Sequence, residues 1–170
     1  GSGDIQVRDV CMKRVSAETM SGDLTVSLPD GFTAQEVRLR TSSGDLMVQG
    51  DTAQMIVNSM SGDLSLDGRA ETIEARTVSG EVRLNGEVEE LNARSTSGDV
   101  SVRERQPSLR KAEITSTSGD AELFLFPDDR TKNVEAHTVS GDVRGCDSSD
   151  APNADVTVRV SSISGDVAVR

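Results

Sequence analysis

Apolar residues in this chain recur in columns rather than in runs. Aligned on a repeated serine, the positions six, four and two before it read Val37, Leu39, Thr41, then Met55, Val57, Ser59, then Ile73, Ala75, Thr77. The residues between are mostly polar or charged, Arg40, Arg76 and Arg94 among them. Period-two alternation marks a half-buried β-strand, because successive side chains of a strand point to opposite faces. After the serine a second alternating pair follows, as in Leu46 and Val48, Leu64 and Leu66, Val82 and Leu84. Even offsets are apolar before the serine and odd offsets after it, so the inward face changes parity at Gly-Asp. A corner or bulge is needed there, and glycine supplies its positive φ at little steric cost. The Ser/Thr columns at the serine and two residues before it share the buried parity, so both are expected to point inward and bond between coils. The residues between those two columns, such as Met20, Met60 and Val78, are expected to face out, as a partner surface or tucked under a neighbouring side chain.

The serine opens a motif, Ser-Gly-Asp (once Ser-Gly-Glu), that occurs nine times, with glycines from Gly3 to Gly165 spaced 18 to 24 residues apart. A period near 20 is the signature of stacked coils, each unable to bury its apolar side alone. The expected fold is all-β: a single-domain parallel β-solenoid, β-helix-like, of about eight coils of 18–24 residues spanning 1–170. At roughly 4.8 Å per coil, eight intervals make a rod about 38 Å long. In the three shortest coils the connector is expected to be a glycine turn at Gly50, Gly68 and Gly86. The chain opens inside a repeat, which suggests a domain excised from a longer protein.

Composition narrows the function. Hydrophobic residues make up 34% of the chain, with three Phe and no Tyr or Trp, so the core must be thin and aliphatic. Net charge is −11, from 29 acids against 18 bases, which disfavours nucleic acid and direct contact with anionic membrane. No apolar run approaches the 18 or so residues of a membrane span, and no signal peptide is recognisable. Any membrane attachment would therefore run through a segment outside this sequence. Cys11 and Cys146 fall seven coils apart, roughly 33 Å, too far for an intrachain disulfide.

Three features invite chemistry. The acidic column includes Asp23, Asp45, Asp63, Glu81, Asp99, Asp120 and Asp142, a ladder that could hold calcium or simply cap the turns with backbone N–H groups. The turn reading is favoured, because calcium-binding repeats carry denser Gly and Asp. His137 is the only histidine and lies at an outward position with no metal-ligating neighbours in the repeat, so neither a zinc site nor a catalytic triad is expected. Polysaccharide cleavage would want aromatic platforms and an asymmetric carboxylate pair, which the uniform repeat lacks. The long connectors at 27–36, 103–112, 124–133 and 145–155 break the regularity, and loops on a rigid scaffold are where binding concentrates. The last three are expected to form one ridge carrying Arg103, Arg105, Arg110, Lys111, Phe124, Phe126, Arg130 and Lys132.

The recurring Thr/Ser-x-Ser-Gly-Asp-Val/Leu-x-Val/Leu, from Ser2 to Val169, resembles the bacterial "putative adhesin" repeat family. That resemblance implies a β-solenoid, no catalytic residues and an extracytoplasmic or cell-envelope location. The expected function is therefore a non-catalytic, adhesin-like binding or scaffold domain without cofactors. Its partner would be a protein or cell-surface ligand, and the uncapped rod ends suggest a homo-oligomer. A calcium-dependent module and, less so, a polysaccharide-active β-helix enzyme remain the alternatives.

Overall fold

A computed structural model describes residues 2–9, 11–145 and 154–170. The chain runs through β1 (Ile5–Arg8), β2 (Arg14–Ser21), β3 (Leu24–Ser27), β4 (Thr33–Ser43), β5 (Leu46–Gln49), β6 (Asp51–Ser61), β7 (Leu64–Ser79) and β8 (Val82–Ser97). It continues through β9 (Val100–Glu104), β10 (Lys111–Ser118), β11 (Ala121–Phe124), β12 (Lys132–Ser140), β13 (Val143–Arg144), β14 (Val156–Ser164) and β15 (Val167–Val169). All pairings are parallel, and all strands belong to one sheet wound into a solenoid. Among the described residues no helix is long and apolar enough to cross a membrane.

The columns read from the sequence are the rungs of the stack. Leu46 pairs with Leu64, Leu64 with Val82, Val82 with Val100 and Val100 with Ala121. On the other side Val37 pairs with Met55, Met55 with Ile73 and Ile73 with Leu91. These inward side chains form one aliphatic core, with Leu24, Val48, Val57, Leu64, Ala93 and Val100 fully buried. A one-residue slip would turn every such side chain to solvent, which is why the register holds along the rod.

The corner differs in one respect from the expected parity. The column two before the motif serine is buried as expected at Thr19, Thr41, Ser59, Thr77, Ser95, Ser116 and Ser162. The motif serine itself is exposed at Ser43, Ser61, Ser79, Ser97 and Ser118. The residue between them drops out of the ladder: Thr41 pairs with Ser59 and Ser43 with Ser61, while Ser42 and Met60 pair with nothing. The bulge thus lies one residue before the motif serine, and parity slips there rather than at Gly-Asp. A local hydrogen bond closes it, with Thr41 Oγ1 donating to the Ser43 carbonyl at 3.2 Å and Thr77 Oγ1 to the Ser79 carbonyl at 3.3 Å.

Of the three glycine turns expected in the short coils, the one at Gly50 is a bend between β5 and β6, and the other two differ. β7 and β8 run unbroken through Gly68 and Gly86, which pair with each other, so the connector there is a bend within a continuous strand.

The largest departure is in the order of the stack. About six turns follow one another in chain order, from β2–β3 to β10–β11, and then the last two exchange places. The C-terminal turn, β14–β15, lies directly on β10–β11, and β12–β13 forms the outermost rung beyond it. The expectation of about eight successive coils is corrected accordingly. The connector from Phe124 to Lys132 skips one rung, which a segment of that length can do because extended chain reaches about 3.3–3.6 Å per residue.

Candidate functional site

The acidic ladder is the most regular polar feature of the surface. Each aspartate carboxylate accepts the backbone N–H of the acid on the next rung. The Oδ1 atoms of Asp4, Asp23, Asp45 and Asp63 accept from Asp23, Asp45, Asp63 and Glu81 at 2.9–3.0 Å. The pattern follows the exchanged order at the far end: Asp120 N–H to Asp99, Asp166 N–H to Asp120, then Asp142 N–H to Asp166, at 2.8–2.9 Å. Charge-assisted bonds of this kind offset the like-charge repulsion along the column, about 1 kcal/mol per pair in water. One oxygen of each carboxylate is thereby committed to the stack, while calcium asks for six to eight oxygens converging on one point. Among the described residues no three metal-ligating side chains converge.

Glu81 is the exception. One methylene longer, its carboxylate turns to Arg83, which donates from Nε at 2.7 Å and Nη2 at 2.6 Å, and the Asp99 N–H has no bond to it. Glu81→Asp is expected to complete the ladder and raise stability by about 0.5–1.5 kcal/mol. The exposed pair with Arg83 that it loses is worth at most about 1 kcal/mol. The urea midpoint checks this, and a midpoint at or below wild type would count against the ladder as a stabilising device.

The structure divides the eight residues of the expected connector ridge. Arg103 and Arg170 both lie on the Phe124 ring, 5.0 and 5.7 Å from its centroid. Arg105 pairs with Asp67 at 3.1 Å, Arg110 lies 3.8 Å from Glu89, and Lys111 is exposed at the start of β10. Arg130, Lys132 and half-buried Phe126 belong to a second group organised by two acids, Glu104 and Asp128. Arg130 bonds Asp128 and donates to the Leu109 carbonyl at 2.7 Å, and Lys132 donates to the Phe126 carbonyl at 3.0 Å. Lys132 Nζ is also 2.9 Å from Asp128 Oδ1. Burial works against charge on Asp128, but hydrogen bonds from Lys132 and Arg130 outweigh it and hold the carboxyl below its ordinary range.

Glu104 is the residue that reading the sequence missed. Its side chain is 1% exposed and holds two connectors together. Oε1 accepts the backbone N–H of Ser108 at 2.9 Å and of Leu109 at 2.8 Å, while Oε2 accepts that of Phe126 at 2.9 Å. Arg130 Nη2 approaches Oε1 at 3.5 Å. A signal was present: Val100, Val102 and Glu104 share one parity, so the alternation that buries the valines carries an acid inward.

His137 is exposed and pairs in register with Ser161. Cys11 is exposed and free, and Cys146 lies outside the described residues, so the expected separation of the two falls outside them as well.

A second surface arises from the bulge. The residues expelled from the ladder form an exposed ridge, with Met20, Met60, Val78, Ile163 and Val139 between 49 and 71% exposed. Beside it runs an open cleft of about 720 Å³, floored by the buried Thr/Ser column and flanked by Arg40, Arg76 and Arg94. Ser59 and Ser95 in that floor, and Ser116 in the same column, have buried hydroxyls with no hydrogen-bond partner. The outward arginine column is legible in the sequence, but the cleft is not, because it exists only once the bulge lifts the neighbouring column.

Comparison with curated proteins and with solved structures finds no match. One family model does match, over residues 5–170, and it describes a domain of uncharacterised role with a solenoid-like fold. The "putative adhesin" resemblance is met at that coarser level. With its single wound parallel sheet and the match covering nearly its whole length, the chain belongs to the Toastrack DUF4097 family.

Proposed function

We propose that this chain is a non-catalytic binding and scaffold domain, adhesin-like, working in or outside the bacterial cell envelope. The supporting observation is that the conspicuous chemistry of the repeat is taken up by the stack itself. The motif carboxylates bond the next rung, the motif glycines stack on one another, and the Thr hydroxyls close the bulge. What differs from rung to rung is the connector face, where Glu104 holds the loops 105–110 and 125–131 in a fixed shape. Rigid loops presenting Arg105, Arg110, Lys111 and the Arg103–Phe124 stack suit a protein or surface ligand with acidic groups. End-to-end assembly through the edge strands of the described sheet, β1 and β2 or β12 and β13, belongs to the same reading.

The test is binding of the purified chain to isolated envelope fractions, with and without calcium. Saturable binding is expected, unchanged by millimolar calcium or EDTA and weakened roughly tenfold in an Arg105→Ala, Arg110→Ala, Lys111→Ala variant, about 1.4 kcal/mol. Binding that needs calcium, or that ignores the triple substitution, would remove the reading.

A further inference from the structure

The exposed apolar side chains of this protein are not scattered. Among the described residues, five of the eight large hydrophobics that face solvent, Met20, Met60, Val78, Val139 and Ile163, stand in one column, whose other rungs carry Ser42, Thr96 and Thr117. The column follows the corner down the whole rod. Its two flanks carry opposite charge. On the cleft side the column reads Glu18, Arg40, Asn58, Arg76, Arg94 and Thr115, basic over its central rungs; Arg40 forms no ion pair among the described residues, though Glu18 is its neighbour in register, and Arg94 reaches only Glu113 at 3.8 Å. Arg76 pairs with Glu74 on its own strand. On the other side stands the ladder of Asp45, Asp63, Glu81, Asp99 and Asp120, each aspartate bonding the stack through Oδ1 alone.

Both flanks have the same spacing, one position per rung, because both belong to the same stack. A surface with an apolar spine, a basic flank and an acidic flank of equal pitch is complementary to itself. We propose that two copies of this chain associate side by side along this corner, as a parallel two-fold dimer with its axis along the rod. Symmetry selects the orientation. With rods parallel, the two-fold brings the arginine flank of one copy against the aspartate flank of the other, so Arg40 and Arg94 come to the rungs of the partner's Asp45 and Asp99. With rods antiparallel, arginines would face arginines and acids would face acids. Met60 and Val78 meet their counterparts at the centre, and the partner's acidic corner enters the cleft.

The contact is long and narrow. A strip about 35 Å by 15–20 Å covers roughly 500–700 Å² per partner, just under the size of a standard stable interface. The association is therefore concentration-dependent, with half-dimerisation at about 10–500 μM.

Sedimentation across that range tests it, together with Met60→Glu/Val78→Glu, whose positions are exposed and outside the ladder. Wild type is expected to shift from monomer to dimer, and the double variant to stay monomeric with unchanged β-sheet circular dichroism. Orientation is read from Ser42→Cys in a Cys11→Ser/Cys146→Ser background. Ser42 lies near one end of the ridge, so it faces itself only in the parallel dimer, and oxidation should give a disulfide-linked pair. A wild type that stays monomeric, oligomers that ignore Met60→Glu/Val78→Glu, or failure of the Ser42→Cys pair to cross-link would each overturn the proposal. So would a monomer whose cleft takes up poly-glutamate in place of a second copy.

Discussion

Gly62→Ala is expected to cost more than about 4 kcal/mol, most of the margin of an ordinary domain, whereas Gly3→Ala should cost about 1–2 kcal/mol. The two glycines share a backbone conformation, φ +124° and +138°, that side-chain-bearing residues rarely adopt. They differ in what lies above them. A Cβ on Gly62 would sit 2.2 Å from the Gly44 carbonyl oxygen and 2.7 Å from its carbon, whereas a Cβ on Gly3 would meet nothing within 4 Å. The difference between the variants therefore isolates the stacking of backbone on backbone from the conformational penalty, which both incur.

Position along the rod widens the gap. In a stack where each turn touches only its neighbours, stability is close to a sum of turn and interface terms. Gly3 lies on the first rung, so strain there frays one end. Gly62 lies between turns that pair on both sides, so forcing that interface apart uncouples the two halves of the rod. Urea unfolding by circular dichroism gives both numbers, and Gly62→Ala should either fail to fold or unfold in a broad, two-stage transition. Equal costs for the two variants would mean that the glycine column answers to φ alone.

The columns were legible because stacking makes them so. A residue at a given offset has the same residue type above and below it, so Leu46, Leu64, Val82 and Val100 declare one rung position four times. The same redundancy hid the exchange of the last two turns. Each rung presents nearly the same face, so β14 could stack on β10 or on β12 with the same hydrophobic match, and it does both. What decides the order is connector length, and a long connector only permits a skipped rung. The parity error at the motif serine has a different origin. Alternation counts residues and cannot see that Ser42 and Met60 leave the ladder, a local bulge that Thr41 closes with a bond to Ser43 and that Ser59 carries without one. The connector ridge was legible as a cluster of types but not as contacts, since whether Arg130 meets solvent or Asp128 depends on a loop without a period.

Glu104→Ala is expected to cost about 3–5 kcal/mol, the range for removing one partner of a buried charged network. The carboxylate accepts three backbone N–H groups from two connectors, and of those donors only the Ser108 N–H has another acceptor beside it, the Gln106 carbonyl at 2.7 Å. Each donor left unpaired away from water costs about 1–3 kcal/mol, and Arg130, 25% exposed, loses one of its two acids. Glu104→Gln separates acceptor from volume. The amide fills the same space but offers one oxygen and one donor, so it serves either Ser108 and Leu109 or Phe126, and its NH₂ group points at the N–H groups it fails to serve. Its cost should therefore exceed half that of alanine. Hydrogen exchange locates the damage: the amides of Leu109 and Phe126 should lose protection in both variants, while those of Leu64 and Val82, in the uninterrupted part of the stack, should keep theirs. A glutamine variant as stable as wild type would show that Glu104 only fills space, and the connectors would then have to hold their shape through Arg130 and Asp128 alone.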